Sequence, residues 1–218
     1  SHFVRSLAYV KKAAAMANKD LGVIKPERAD AIIAACDEII AGKWHKHFTI
    51  DMIQGGAGTS TNMNANEVIA NRALEILGHR KGEYQFVNPN DHVNFGQSTN
   101  DVYPTAFRPA LILRLDGYMA ELQRLQQAFH AKAREFDGVL KMGRTHLQDA
   151  VPMSLGQEFH GWGTTIGEEV QRIAEVRQFL HEINLGATAI GTTVTAAPGY
   201  PELATKHLSQ LTGFTFIL

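Results

Sequence analysis

The chain has 218 residues, 44% of them apolar and 20% charged, which is enough to bury about 70% of its unfolded surface and too apolar for disorder. Twenty-one Lys plus Arg against 22 Asp plus Glu leave a formal charge of -1, so no global field favours nucleic acid or an anionic membrane, and any anion must be held by a local arrangement. A single cysteine, Cys36, excludes an internal disulfide framework and a multi-cysteine zinc site, and suits a reducing, cytoplasmic setting. No stretch approaches the roughly 18 apolar residues of a membrane span. Arg5, Lys11, Lys12 and Lys19 are spread through the first 21 residues, unlike the clustered charge of a signal peptide.

Val4, Leu7, Val10, Ala14, Ala17 and Leu21 step by three or four before Gly22, which predicts a first helix. Pro26 opens a second, with Ala29, Ile32, Ile33, Cys36, Ile39 and Ile40 on its apolar face and Gly42 closing it. The small-residue run Gly55-Gly56-Ala57-Gly58-Thr59-Ser60-Thr61 feeds a third helix that carries Val68, Ile69, Ala73, Ile76 and Leu77 and stops at Gly78. Residues 79–99 read as loop, from Gly82, Pro89, Gly96 and the Asn/Asp cluster between.

From Asn100 to Phe136 one stripe, Phe107, Leu111, Leu115, Tyr118, Leu122, Leu125 and Phe129, predicts a helix about 50 Å long, with a kink at Pro109. A loop from Gly138 to Met153 leads to Ser154 and Gln157, the spacing of a capping box. A second long helix follows through Leu155, Phe159, Trp162, Ile166, Val170, Ile173, Leu180 and Ile183, antiparallel to the first. A short helix covers about Pro201 to Leu211. Strand patterns are weak, confined to Phe48–Ile53 and Tyr84–Val87. The fold class is therefore mainly α, with a division near residue 97 between an N-terminal helical domain (1–97) and the first part of a long-helix bundle (98–218). Long apolar stripes and the run Phe214-Thr215-Phe216-Ile217-Leu218 predict further partners and an oligomer.

Three segments rich in Gly, Ser, Thr, Asn or His precede predicted helices: Gly55–Asn62, Gln97–Asp101 and Gly143–Asp149. Hydroxyls and amides at helix starts, with unpaired N–H groups beside them, make neutral anion pockets suited to a carboxylate. The plain alternative for Ser98, Thr99 and Asn100 is that they cap the long helix. The glycine run lacks the Lys-Ser/Thr of a phosphate loop, and Gly96-Gln97-Ser98-Thr99-Asn100 lacks the second glycine of a nucleophile elbow. His45 and His47 have no nearby acidic partner for a metal, and His160, His181 and His207 stand isolated on helices. His146, between Thr145 and Gln148 in a loop, is the one histidine placed like a site residue.

At these residues the chain resembles the aspartase/fumarase superfamily, on its ammonia-lyase side. The marks are Lys11-Lys12-Ala13-Ala14-Ala15-Met16-Ala17-Asn18, Ile32-Ile33-Ala34-Ala35-Cys36-Asp37-Glu38, Gly55-Gly56-Ala57-Gly58-Thr59-Ser60, Asn88-Pro89-Asn90-Asp91-His92-Val93-Asn94, Gln97-Ser98-Thr99-Asn100-Asp101 and Gly143-Arg144-Thr145-His146-Leu147-Gln148-Asp149. Fumarases of the superfamily tend to differ where this chain has Ala57, Ser60, Asn88 and Thr99.

The resemblance implies a homotetramer with a shared helical bundle, each active site built from three subunits, and reversible elimination of ammonia from L-aspartate to fumarate. No organic cofactor and no metal ligand set is implied, with divalent-metal activation left open. Family roles fall on Thr59, Ser98 and Thr99 as ligands of the carboxylate that becomes an aci-carboxylate dianion. Asn100 and His146 would meet the amino group, and Thr145 the second carboxylate. The family's mobile Gly-Ser-Ser-x-Met-Pro-x-Lys-x-Asn-Pro loop, which supplies the serine base, has no match in this chain, so the resemblance implies a truncated chain that is inactive alone. Fumarate hydratase, or a catalytically dead structural member of the superfamily, are the alternatives.

Overall fold

A computed structural model describes residues 1–51 and 53–218. Its elements run α1 (His2–Asp20), α2 (Pro26–Ile40), α3 (Thr59–Ile76), α4 (Thr99–Glu135), β1 (Leu140–Thr145), β2 (Gln148–Ser154), α5 (Leu155–Val176) and α6 (Tyr200–Thr212), with short 3-10 turns at His45–His47 and Arg177–His181 and a π-helical turn at Pro89–Val93. The chain is mainly helical, as the periodicity predicts. By packing it forms two compact units, residues 1–112 with 180–218, and residues 113–179. Among the described residues no helix is long and apolar enough to cross a membrane.

The first unit is organised by α1, which is apolar on two faces. Leu7, Val10 and Ala14 meet Val102, Ala106 and Ile112 of α4 and Tyr200, Ala204 and Leu208 of α6. Val4, Ala8 and Ala15 meet Ile32, Ala35, Cys36 and Ile39 of α2 together with Ile69, Ala73 and Leu74 of α3. Each fully buried leucine or isoleucine here contributes about 2 kcal/mol of apolar transfer. Cys36 belongs to this second cluster, and burial pushes its thiol up to about 12. It is a packing residue and not a nucleophile.

The chain terminus corrects the expectation of an unprotected apolar run. Phe216 is buried in the core formed by α1, α4 and α6. The Ile217 N–H donates to His181 O at 3.0 Å, and the Ile183 N–H donates to Ile217 O at 2.8 Å. The tail satisfies its own backbone by pairing with the segment ahead of α6, which leaves Ile217 and Leu218 exposed.

In the second unit the segment from Gly138 to Met153, expected as loop, is instead an antiparallel β-hairpin. Periodicity missed it because both strands are mostly exposed, with Leu140 and Val151 on the surface, so no apolar-polar alternation is required of them. A register shift between Met142 and Arg144 makes β2 advance one residue further than β1, as a bulge does. The capping box is present: the Gln157 N–H donates to Ser154 Oγ at 3.0 Å and the Ser154 N–H donates to Gln157 Oε1 at 2.9 Å. α5 ends at Val176, short of the expected Ile183, and passes into the 3-10 turn. Phe129 of α4 meets Phe159 and Trp162 of α5 with ring centroids 6.0 and 5.9 Å apart. Gly156 lets the chains close, since a Cβ there would lie 2.7 Å from the Asp137 Cα.

The weak strand candidates do not form. Tyr84–Val87 is turn and irregular chain. In Phe48–Ile53, Met52 lies outside the described residues and the others carry no strand.

Candidate functional site

Ser98 immediately precedes α4 and works as its cap. Its Oγ accepts the Asn100 N–H at 3.2 Å, while its own N–H donates to Asp101 Oδ1 at 3.0 Å, a reciprocal arrangement that satisfies two free donors of the helix start. Capping and ligand binding are compatible here, because the hydroxyl acts only as an acceptor in that bond and keeps its proton for another partner. Asp101 is fully buried and also accepts the Gly186 and Thr188 N–H groups at 3.2 and 2.8 Å. Burial raises its pKa, opposed by the N–H bonds from Ser98 and Thr188 and by Lys11.

Thr99, half-buried, accepts a hydrogen bond from Asn62 Nδ2 at 2.9 Å. Asn62 lies one turn into α3, so this bond ties the start of α3 to the start of α4. Asn100 is exposed. Its Nδ2 donates to Ala189 O at 2.8 Å, and its backbone carbonyl accepts from Asn184 Nδ2 at 3.2 Å. That leaves its side-chain oxygen as the acceptor an ammonium group requires.

Thr59 opens α3 behind Gly58, which adopts φ +83°. A side chain at Gly58 would collide with the Tyr103 ring of α4, so glycine is needed both for the left-handed backbone and for the close approach. The Thr59 hydroxyl donates to Gly56 O at 3.1 Å, and must exchange that bond to serve a ligand. A recess of about 500 Å³ lies between this glycine loop and α4, lined by Ile53, Gln54, Gly58, Asn100, Tyr103 and Pro104 among others.

Thr145 and His146 belong to the second unit, at the tip of the hairpin. Thr145 pairs with Gln148 across it, so His146 and Leu147 form a two-residue turn, with φ +47° and +63°. These are type I′ signs, normally supplied by Asn and Gly. Both are exposed. The Gly143–Asp149 segment therefore does not lie at a helix start: the hairpin strand β2 separates it from α5, which begins at Leu155 behind its Ser154 cap as expected. Only the segments before α3 and α4 lead directly into a helix start. Thr145 and His146 are presented by a strained turn instead. The structure thus brings Thr59, Ser98, Thr99 and Asn100 to two neighbouring helix starts and sets Thr145 and His146 on a separate unit.

Asn62 and Asp101 end two of the candidate segments without a role of their own, whereas Lys11 lies outside all three. Lys11 is fully buried, and its ammonium donates to Asn94 Oδ1 at 2.7 Å and Gln97 Oε1 at 3.0 Å. Burial lowers its pKa to about 7 against the attraction of Asp101. The signal was present: Leu7, Lys11, Ala14 and Asn18 share the spacing of one buried helix face. Among the described residues no group of three or more His, Cys, Asp or Glu could hold a metal ion.

A family of lyases matches residues 2–218. The chain belongs to this lyase family. Aspartate ammonia-lyase of Pseudomonas aeruginosa is 57% identical over 217 residues, covering 98% of this chain and 46% of that protein. Among solved structures, a fumarate lyase:delta crystallin from Brucella melitensis bound to cobalt superposes with a TM-score of 0.89 at 54% identity, over 99% of this chain and 47% of that one. A class II fumarase from Schistosoma mansoni gives 0.82 at 39% identity, over 97% and 44%. The lyase-family chain therefore lies in the aspartase/fumarase superfamily, as its motifs imply, and spans just under half the length of these relatives.

Proposed function

We propose that the full-length enzyme containing these residues is an aspartate ammonia-lyase, which eliminates ammonia from L-aspartate to give fumarate. The observation that carries this reading is the start of α4. There Ser98 and Thr99 present hydroxyls that accept hydrogen bonds from Asn100 and Asn62 and so keep their protons for an anion. The name carried by the Pseudomonas aeruginosa relative supports the choice of substrate.

In this reading Thr59, Ser98 and Thr99 hold the carboxylate next to the carbon that loses its proton. Removal of that proton places a second negative charge on the carboxylate, and neutral donors fixed at helix starts bind the dianion more strongly than the ground state. Expulsion of the amine then collapses the dianion to fumarate. Asn100 and His146 receive the amino group, and Thr145 binds the distal carboxylate. The base is a serine on a loop outside these 218 residues, and the site is shared by three subunits of a homotetramer. The enzyme works in the cytoplasm without an organic cofactor.

Fumarate hydration is the second reading, favoured by the superposition on a class II fumarase and disfavoured by the lower identity. The decisive experiment is absorbance of fumarate: these 218 residues alone give no turnover, while the full-length enzyme deaminates L-aspartate. Turnover by a chain verified by mass to end at Leu218 would refute the placement of the base.

A further inference from the structure

We infer that Asn62, held by Asn94, which is in turn fixed by the buried Lys11, is a positioning residue that turns the Thr99 hydroxyl proton outward, toward a bound carboxylate. The inference rests on the reading of Thr99 as a carboxylate ligand and adds what directs its proton.

The polarity of the chain of bonds is set from its inner end. Asn94 Nδ2 donates to Gln97 O at 3.2 Å, so the Asn94 atom facing Lys11 Nζ at 2.7 Å is the carbonyl oxygen Oδ1, and Lys11 donates to it whether or not its amine is charged. Gln97 is fixed in the same sense: its Oε1 accepts from Lys11, and its Nε2 donates to Val93 O and Phe95 O at 3.0 and 3.2 Å. Asn94 Oδ1 is thus an acceptor, and the Asn62 atom 3.2 Å from it must be the amide nitrogen. The second proton of that nitrogen goes to Thr99 Oγ1 at 2.9 Å. With a lone pair of Thr99 Oγ1 occupied by the Asn62 N–H, its O–H cannot lie along that line and is directed away from the Asn62 nitrogen.

A second observation shows that this polarity is imposed. Asn62 is only 1% exposed and its Oδ1 is buried with no partner among the described residues. Leaving a buried carbonyl unpaired is costly. Turning the amide over would set its oxygen against Asn94 Oδ1, so the orphan is retained and Thr99 remains an acceptor on its inner side. A hydroxyl merely capping α4 would not need a buried lysine and two asparagines behind it.

The test uses the full-length enzyme and four variants: Asn62→Ala, the isosteric Asn62→Asp, Thr99→Val, and Asn62→Ala with Thr99→Val. The wild type is assayed first with L-aspartate and L-malate. The faster substrate is used throughout, because both carry the carboxylate, so a wrong choice of leaving group is seen separately from a wrong role for Asn62. Activity toward neither removes the proposed function, and this inference with it. The expected result is a fall in kcat of about 10- to 100-fold in Asn62→Ala and Asn62→Asp, with KM changed much less, since the bond strengthens as the dianion forms. In the Thr99→Val background Asn62→Ala has little left to remove, so kcat falls by less than about 2-fold further. Equal factors in both backgrounds would overturn the inference and leave Asn62 with a packing role. If Asn62→Ala does not fold, Asn62→Asp gives the same comparison: its carboxylate draws the Thr99 proton inward, and wild-type kcat in that variant would overturn the inference.

Discussion

The Asp101 carboxylate accepts the Thr188 N–H at 2.8 Å across 87 residues of chain. Thr188 adopts φ +62°, a conformation that disfavours a β-branched residue, and its buried N–H has been aimed at that one acceptor. Because Asp101 also receives the Ser98 and Gly186 N–H groups, a single side chain fixes the start of α4 against the segment following α5. Asp101→Ala is expected to leave these donors unpaired and lower stability by about 3 kcal/mol, read as a shift of the urea midpoint of the full-length enzyme. A shift within experimental error would show that water serves the three donors equally well.

Lys11 gives a pH dependence whose sign is fixed. With a folded pKa of about 7 against 10.5 in the unfolded chain, it is protonated in both states below pH 7. Between these values the unfolded state holds more protons, so its contribution to stability rises with pH. The stability of the wild type relative to Lys11→Met should therefore increase between pH 7 and 9, by about 1 kcal/mol per unit. Paired urea titrations at three pH values check this, and a flat difference would contradict the lowered pKa.

Glu38 is predicted to matter at acid pH. It accepts from Arg72 Nε and Nη2 at 2.7 and 2.9 Å and from Trp44 Nε1 at 2.6 Å, and the Arg72 bonds lead in holding its carboxyl down at about 2. Its contribution is present above the usual 4.5 and is lost as pH falls toward 2. Glu38→Gln should lower stability at pH 7 by about 1–3 kcal/mol and by much less at pH 2.5. A pH-independent deficit would assign the effect to packing.

The hairpin tip separates function from stability within two adjacent residues. Leu147 is 92% exposed with φ +63°, so Leu147→Gly relieves backbone strain and should raise hairpin stability by about 1 kcal/mol. His146→Ala should leave the thermal midpoint nearly unchanged but slow ammonia release about 100-fold, as loss of one donor facing developing charge does. Near-normal turnover in His146→Ala would remove the residue from the site.

The helices were legible because a buried face repeats every three or four residues, and α1, α2 and α6 each bury such a face. The hairpin was not, since Leu140 and Val151 are exposed and no face is selected. The hydroxyls of Thr59, Ser98 and Thr99 were legible as residue types at helix starts. What lies behind them was hidden by charge: Lys11 beside Lys12 reads as a solvated pair, yet Lys11 faces the core while Lys12 pairs with Asp37 at 2.5 Å. The link from Asn62 to Thr99 joins two helices 37 positions apart, a relation that no local pattern encodes.

The central claim is the identity of the substrate, and the most direct measurement is fumarate formation by the full-length enzyme offered L-aspartate and L-malate in parallel. A higher kcat/KM for L-aspartate, with one ammonia released per fumarate, is the predicted result. Faster formation of fumarate from L-malate, or no fumarate from L-aspartate, would contradict it.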